Sequence, residues 1–218
     1  MPHSVILDFF RRHSPRRVAL TAHMRPDGDA IGSCLGLARG LRAAGIEAKV
    51  VNPDPLPHNL SFLDDKELIV AGESPEWWRE YDCFGVLDCG EAERLEEINR
   101  GALALPTFNI DHHASSVGVG EAVWNEPEAS SVGEMVVRLC QGAGWPLTAA
   151  GAQALWAAIV TDTGRFCFEN TSVAALTAAR DCVAAGASPS AAAKWLYQSV
   201  TPSERKLEAL VLSRMELF

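Results

Sequence analysis

The chain has 218 residues, 48% of them hydrophobic and 22% charged, and a formal net charge of −9. This composition suits a globular domain with a sizeable core, and no apolar run approaches the roughly 20 residues that a membrane-spanning helix needs. The acidic balance argues against a module that grips duplex DNA through phosphate contacts, yet it accommodates short single-stranded or small anionic substrates held through bound cations.

The opening stretch MPHSVILDFFRRH has no basic start, long apolar centre or small-residue cleavage site, so a cytoplasmic location is expected. Its apolar spacing predicts a helix over 4–13. Short β-rich runs then alternate with helical ones. Strands are expected at 18–22, 48–52, 67–71, 83–88 and 107–111, and helices at 30–45, 74–80 and 91–100. Such alternation implies βαβ units and an α/β fold, with a mainly parallel sheet flanked by helices. From about residue 130 the pattern is helical throughout: 130–143, 148–161, 172–186, 188–199 and 202 onward. The six cysteines show no C-x-x-C pair or zinc-like spacing and read as reduced thiols. Trp77, Trp78, Trp124, Trp145, Trp156 and Trp195 sit in mostly apolar helical contexts and are assigned to packing rather than base stacking.

Four segments carry the chemistry. HMRPDGDAIGS (23–33) follows the strand 18–22, at the carboxyl end where parallel α/β sheets place ligands. Asp27 and Asp29 crowd like charges into one turn, which favours a cation between them. Gly32 and Ser33 leave room for a phosphate at a helix N-terminus; the plainer alternative is an N-cap with Asp29 as the capping residue. Asp88 ends the apolar strand CFGVLD. NIDHHASS places Asp111, His112 and His113 at another strand end, where one imidazole can ligate a metal and the other face a phosphate. Asp162 closes an apolar helix at the negative end of its dipole, so a cation there would stabilise it, and Arg165 is close enough to neutralise a phosphate oxygen. Phe166 and Asn170 are further substrate candidates. His23, Asp27, Asp29, Asp88, His112 and Asp162 form a mixed nitrogen and oxygen ligand set that suits manganese, with magnesium, cobalt or iron acceptable by geometry. An aspartate shared between two ions about 3.5–4 Å apart would form a two-metal clamp for phosphoryl hydrolysis.

These motifs, H-x-x-P-D-x-D-A-x-G-S, a strand-end Asp, D-H-H and T-D-T-G-x-F, stand in the order found in the DHH phosphoesterase superfamily, which the chain resembles over nearly its whole length. Within it the segment GVGEAVWNEPEASSVGEMVVRL is most similar to the bacterial branch of short-RNA oligoribonucleases that also dephosphorylate adenosine bisphosphate. The resemblance implies that His23, Asp27 and Asp88 hold one metal and that Asp29, Asp88, His112 and Asp162 hold the other. It further implies that Asp111 supports the site, that His113 contacts the scissile phosphate, and that a metal-bridging hydroxide attacks phosphorus. Residues 1–200 then form the catalytic domain. The segment 201–218, ending in the apolar helical pattern LEALVLSRMELF, becomes a connecting helix towards an absent glycine-rich, basic, substrate-gripping domain.

The activity so implied is manganese-dependent hydrolysis of short RNA or DNA oligonucleotides from the 3′ end, or of adenosine 3′,5′-bisphosphate, by an enzyme with no membrane or duplex-DNA partner and compatible with a homodimer. A family II-like inorganic pyrophosphatase is the alternative enzyme. A RecJ-like exonuclease on longer strands fits the acidic charge less well, and a phosphodiesterase of linear dinucleotides stays open. A non-catalytic nucleotide-sensing module is the alternative from another class.

Overall fold

The computed structural model describes residues 2–63, 65–71, 74 and 76–216. Helix α1 (Ser4–His13) turns Ile6, Phe9 and Phe10 inward and carries Arg11, Arg12 and His13 in its last turn, where the dipole favours cations. It leads into β1 (Arg17–Thr21), α2 (Gly28–Ala43), β2 (Glu47–Val51), the short β3 (Ile69–Val70) and β4 (Cys83–Leu87). The small helix α3 (Glu97–Arg100), β5 (Thr107–Asp111) and β6 (Ala122–Asn125) follow. The remainder is helical: α4 (Val132–Ala143), α5 (Ala149–Asp162), α6 (Val173–Ala184), α7 (Pro189–Gln198) and α8 (Pro202–Leu212). Each of α4 to α8 starts at a Ser or Thr whose hydroxyl accepts from the backbone N–H three residues on, satisfying one orphan donor per helix.

All six strands run parallel, in the order β3-β2-β1-β4-β5-β6. The chain winds outward from β1 to β3, returns to the middle at β4, and winds the other way. The order therefore reverses between β1 and β4, and the crevice outside their carboxyl ends is where such sheets bind ligands. Side chains alternate between two cores. Val18, Leu20, Phe108 and Ile110 join the large core with residues of α2, α4 and α5, whereas Ala19, Phe84 and Val86 face a smaller one with Leu95 and Ala102. Trp77 and Trp78 pack against the smaller core, and Trp124 is buried in the larger. Five cysteines are buried, Cys167 is exposed, and all six are free thiols.

Helices α2 and α5 approach closely because α2 carries glycine at every fourth position, from Gly28 to Gly40. A Cβ on Gly32 would lie 2.5 Å from the carbonyl oxygen of Ala154, and one on Gly36 would lie 2.4 Å from Leu155. Gly32 thus serves helix packing rather than leaving room for a phosphate.

Several expectations need correction. The strand foreseen at 67–71 shrinks to Ile69–Val70, because Asp65 accepts the backbone N–H groups of Glu67, Leu68 and Ile69 in a turn and pairs with Arg39 at 2.6 Å. The helix foreseen at 74–80 is a 3-10 turn at Trp77–Glu80, with Pro75 outside the described residues. That at 91–100 splits into a 3-10 turn, Ala92–Arg94, and α3. Strand β6 and the 3-10 segment His58–Leu63 were not foreseen.

Candidate metal centre

Every expected ligand hangs from the carboxyl side of the sheet or from a helix end facing it. His23 follows β1, and its Nδ1 donates to the Met24 carbonyl at 2.8 Å in the tautomer that leaves Nε2 a free lone pair, 3.5 Å from Asp88 Oδ2. Asp27, not Asp29, caps α2: its Oδ1 accepts from the N–H groups of Asp29 and Ala30. Asp88 directly follows β4 in the left-handed region, φ 54°, a conformation that aspartate tolerates better than most residues. His112 aims Nε2 at three carboxylates, 3.3 Å from Asp162, 3.7 Å from Asp88 and 3.8 Å from Asp29, while Nδ1 lies 3.2 Å from the Ala129 carbonyl. Ligand atoms of His23, Asp27 and Asp88 lie within 4.8 Å of one another, as do those of Asp29, His112 and Asp162, and those of Asp88, His112 and His113.

Asp29 is fully buried and stitched to the start of α4: Val132 N–H donates to Oδ2 at 2.7 Å, Gly133 N–H to Oδ1 at 2.8 Å, and Ser33 Oγ to Oδ1 at 2.9 Å. An anion at a helix N-terminus is favourable. Ser33, expected to meet substrate, is itself fully buried with its hydroxyl committed to Asp29, so it orients a carboxylate instead. Arg165 is exposed, its guanidinium 4.2 Å above the Tyr197 ring. It stands in a run of three left-handed residues, Gly164 to Phe166, held by Arg165 N–H donating to Val160 O and Phe166 N–H donating to the buried Thr163 hydroxyl.

The electrostatics call for a cation. Burial, reinforced by Asp29, Asp27 and Asp162, pushes the Asp88 carboxyl well above the usual range, and its Oδ1 is buried without a hydrogen-bond partner among the described residues. Burial, with the charges of Asp29 and Asp27, raises Asp162 to about 8. Burial also raises Asp29, against the pull of His112 and three hydrogen bonds. Four carboxylates and two imidazole Nε2 atoms gathered in overlapping groups, with one Asp88 oxygen unpartnered among the described residues, fit divalent metal ions, whose charge inverts this logic.

His113 is built differently. Asp111 Oδ1 accepts from its Nδ1 at 2.8 Å, and that bond is the main reason its pKa is raised. Burial works against the charge of Asp111, but His113 and Ser116 together outweigh it and hold the carboxyl below its ordinary value. Asn170, considered above as a substrate contact, instead donates to the carbonyls of Ser130 at 3.0 Å and Asp162 at 3.1 Å. It ties the end of α5 to the loop whose Ala129 carbonyl sets the His112 tautomer. No local sequence signal marks that tie, since it joins segments 40 residues apart.

Residues 17–160 match the family described as DHH family, N-terminal domain. Among curated proteins, the bifunctional oligoribonuclease and PAP phosphatase NrnA of Bacillus subtilis is 33% identical over 188 residues, covering 84% of this chain and 57% of that protein. The chain thus spans little more than half the length of that relative. An exopolyphosphatase-related protein from Bacteroides fragilis superposes with a TM-score of 0.90 at 25% identity, over 100% of this chain and 66% of the other. A putative family II inorganic pyrophosphatase from Methanococcus jannaschii shares the fold at a TM-score of 0.60 and 19% identity, over 86% of this chain and 64% of the other. The family match takes in well over half of the chain, including the strand ends that bear His23, Asp88 and His112: the chain belongs to the DHH family.

Proposed function

We propose that the chain is the catalytic part of a two-metal phosphoesterase acting on short oligonucleotides from the 3′ end and on the phosphate of adenosine 3′,5′-bisphosphate. The observation that carries this reading is the convergence of Asp27, Asp29, Asp88, Asp162, His23 and His112 at the sheet's switch point, in overlapping groups of ligand atoms. The name of the Bacillus subtilis relative supports the substrate class. His23, Asp27 and Asp88 would hold one ion, and Asp29, Asp88, His112 and Asp162 the other, with manganese the best match to the donor set. Two such ions supply Lewis acidity at phosphorus and acidify coordinated water.

The protein's own groups do the rest. His113, its Nδ1 engaged by Asp111, keeps Nε2 and a favoured positive charge for a non-bridging phosphate oxygen. Its ring is 41% exposed, so a substrate can reach it. Arg165 is a second cation on the rim.

The test is hydrolysis with manganese of a short RNA, adenosine 3′,5′-bisphosphate and pyrophosphate, alongside Asp88→Asn. Cleavage of a nucleotide substrate, reduced more than about 100-fold in the variant, is expected, the scale for losing one preorganised electrostatic group. Hydrolysis of pyrophosphate alone would move the chain to the pyrophosphatase reading. Metal-dependent nucleotide binding without turnover would make it a sensor.

A further inference from the structure

A cavity of about 320 Å³ opens beside the metal centre, lined by Arg25, Pro26, Asp54, Pro55, Leu56 and Pro57. Two loops form it. Arg25 and Pro26 belong to the turn between His23 and Asp27, and the others to the loop that leaves β2. The loops are pinned together: Arg25 N–H donates to Asp54 Oδ2 at 2.5 Å, and Asn52 Nδ2 donates to the Asp54 carbonyl at 2.7 Å. Arg25 holds this bond in a left-handed conformation, φ 53°, which an arginine adopts only when its surroundings impose it. The cavity is therefore a fixed feature of the mouth of the site.

Its chemistry is specific. Three prolines and Leu56 provide flat apolar walls, and the exposed Arg25 guanidinium has no carboxylate partner among the described residues, in a chain of net charge −9. Asp54 Oδ1 likewise accepts no hydrogen bond among them, since its pinning uses Oδ2. A planar cation, apolar walls and a spare acceptor match a nucleobase, which stacks on guanidinium planes and offers an exocyclic amine. The volume suits one nucleoside rather than a strand.

We propose that this cavity is the base subsite of the reaction, taking the ring of the nucleotide whose phosphate lies at His23, Asp27 and Asp88. The inference rests on the nucleotide-hydrolase reading above and deepens it. Bases with an exocyclic amine are preferred, because Asp54 Oδ1 accepts from it.

The test compares adenosine 3′,5′-bisphosphate with its abasic ribose analogue and its inosine analogue, using the manganese-loaded wild type, Arg25→Lys and Leu56→Ala. Arg25→Lys keeps the charge but loses the stacking plane. Expected is a KM for the adenine compound about 10-fold higher in each variant, with the abasic compound unchanged within about twofold, and wild-type preference for adenine over hypoxanthine. Equal effects on adenine and abasic compounds, or none on either, would overturn the subsite. If the wild type hydrolyses none of the three, the nucleotide-hydrolase reading fails separately. The subsite is then decided by titrating 2-aminopurine riboside, a fluorescent nucleoside without phosphate: quenching weakened by both variants supports it, and absence of quenching rejects it.

Discussion

Replacing Gly32 with alanine links the packing of the fold to the geometry of its site. The new Cβ would lie 2.5 Å from the Ala154 carbonyl oxygen, 3.0 Å from Ala158 Cβ and 3.1 Å from Ala158 N. Ordinary carbon–oxygen contacts are about 3.3 Å or longer, so α2 and α5 must separate by roughly 0.8 Å. Overpacking costs about 1–3 kcal/mol, and a backbone oxygen cannot rotate away, which places this case in the upper half of that range. Alanine regains about 1 kcal/mol through helix propensity, leaving a net loss of about 1–2 kcal/mol. The separation has a second effect. Asp29 lies on α2 three residues before Gly32, and Asp162 ends α5, so moving the helices apart pulls apart two carboxylates that His112 bridges. A misplacement near 1 Å costs on the order of 100-fold in rate. Urea unfolding gives the first quantity, and manganese titration with hydrolysis gives the second. Gly40→Ala is the control: its Cβ would meet the Cys140 sulfur at 3.1 Å, the end of a side chain, and the Pro146 carbonyl oxygen at an ordinary 3.8 Å, so its stability should change by less than about 1 kcal/mol. A Gly32→Ala protein as stable as the wild type, with unchanged manganese affinity, would refute the reasoning.

Two further outcomes follow from the same centre. In chelator, stability should fall as pH rises from 5.5 to 8.5. Asp162, near 4 when unfolded and about 8 when folded, contributes stability that is fully present below the lower value and lost on passing the upper; Asp88, Asp29 and His113, also raised, act in the same direction. Asp111, lowered, has the opposite sign but titrates below this window. Saturating manganese should flatten the decline in urea midpoint, and a chelated protein whose stability rises over that window would contradict this account of the cluster. Asn170→Ala should weaken manganese binding by about 10-fold, as expected for a group that orients ligands, with a smaller effect on the urea midpoint; an unchanged titration curve would assign Asn170 to packing alone.

What the sequence made legible was what local pattern encodes. The parallel strands β1, β4 and β5 and the helices from α4 onward lie within one or two residues of the periodicity reading, because each combines a clear apolar repeat with a Ser or Thr cap or a strand-end polar residue. Strand β6 was hidden by its four-residue length and by Trp124, whose ring packs inward while Val123 stays half-exposed at the sheet edge. The strand order and its reversal between β1 and β4 depend on long-range pairing that no single stretch displays. The same limit explains Gly32 and Ser33. Next to a helix start both look like phosphate binders, and only the approach of α5 and the burial of Asp29 reveal a packing surface and a carboxylate orienter.

The distribution of unfavourable features makes a final argument for where function lies. Five non-glycine residues among those described hold positive φ, and four of them, Arg25, Asp88, Arg165 and Phe166, border the ligand cluster. The same loops and the helix ends beside them carry three carboxyls pushed upward by burial, reinforced at Asp88 and Asp162 by like charge. Away from that crevice the chain obeys local rules closely, with capped helices and an apolar core on each face of the sheet. Strain and repulsion gathered at one place persist only where the surrounding structure imposes them, and such places are where ligands bind. A divalent cation would remove the repulsion but not the backbone strain. Metal binding should therefore stabilise the protein without relaxing the turn at Gly164 to Phe166, which keeps Arg165 poised over Tyr197 beside Asp162 in both states.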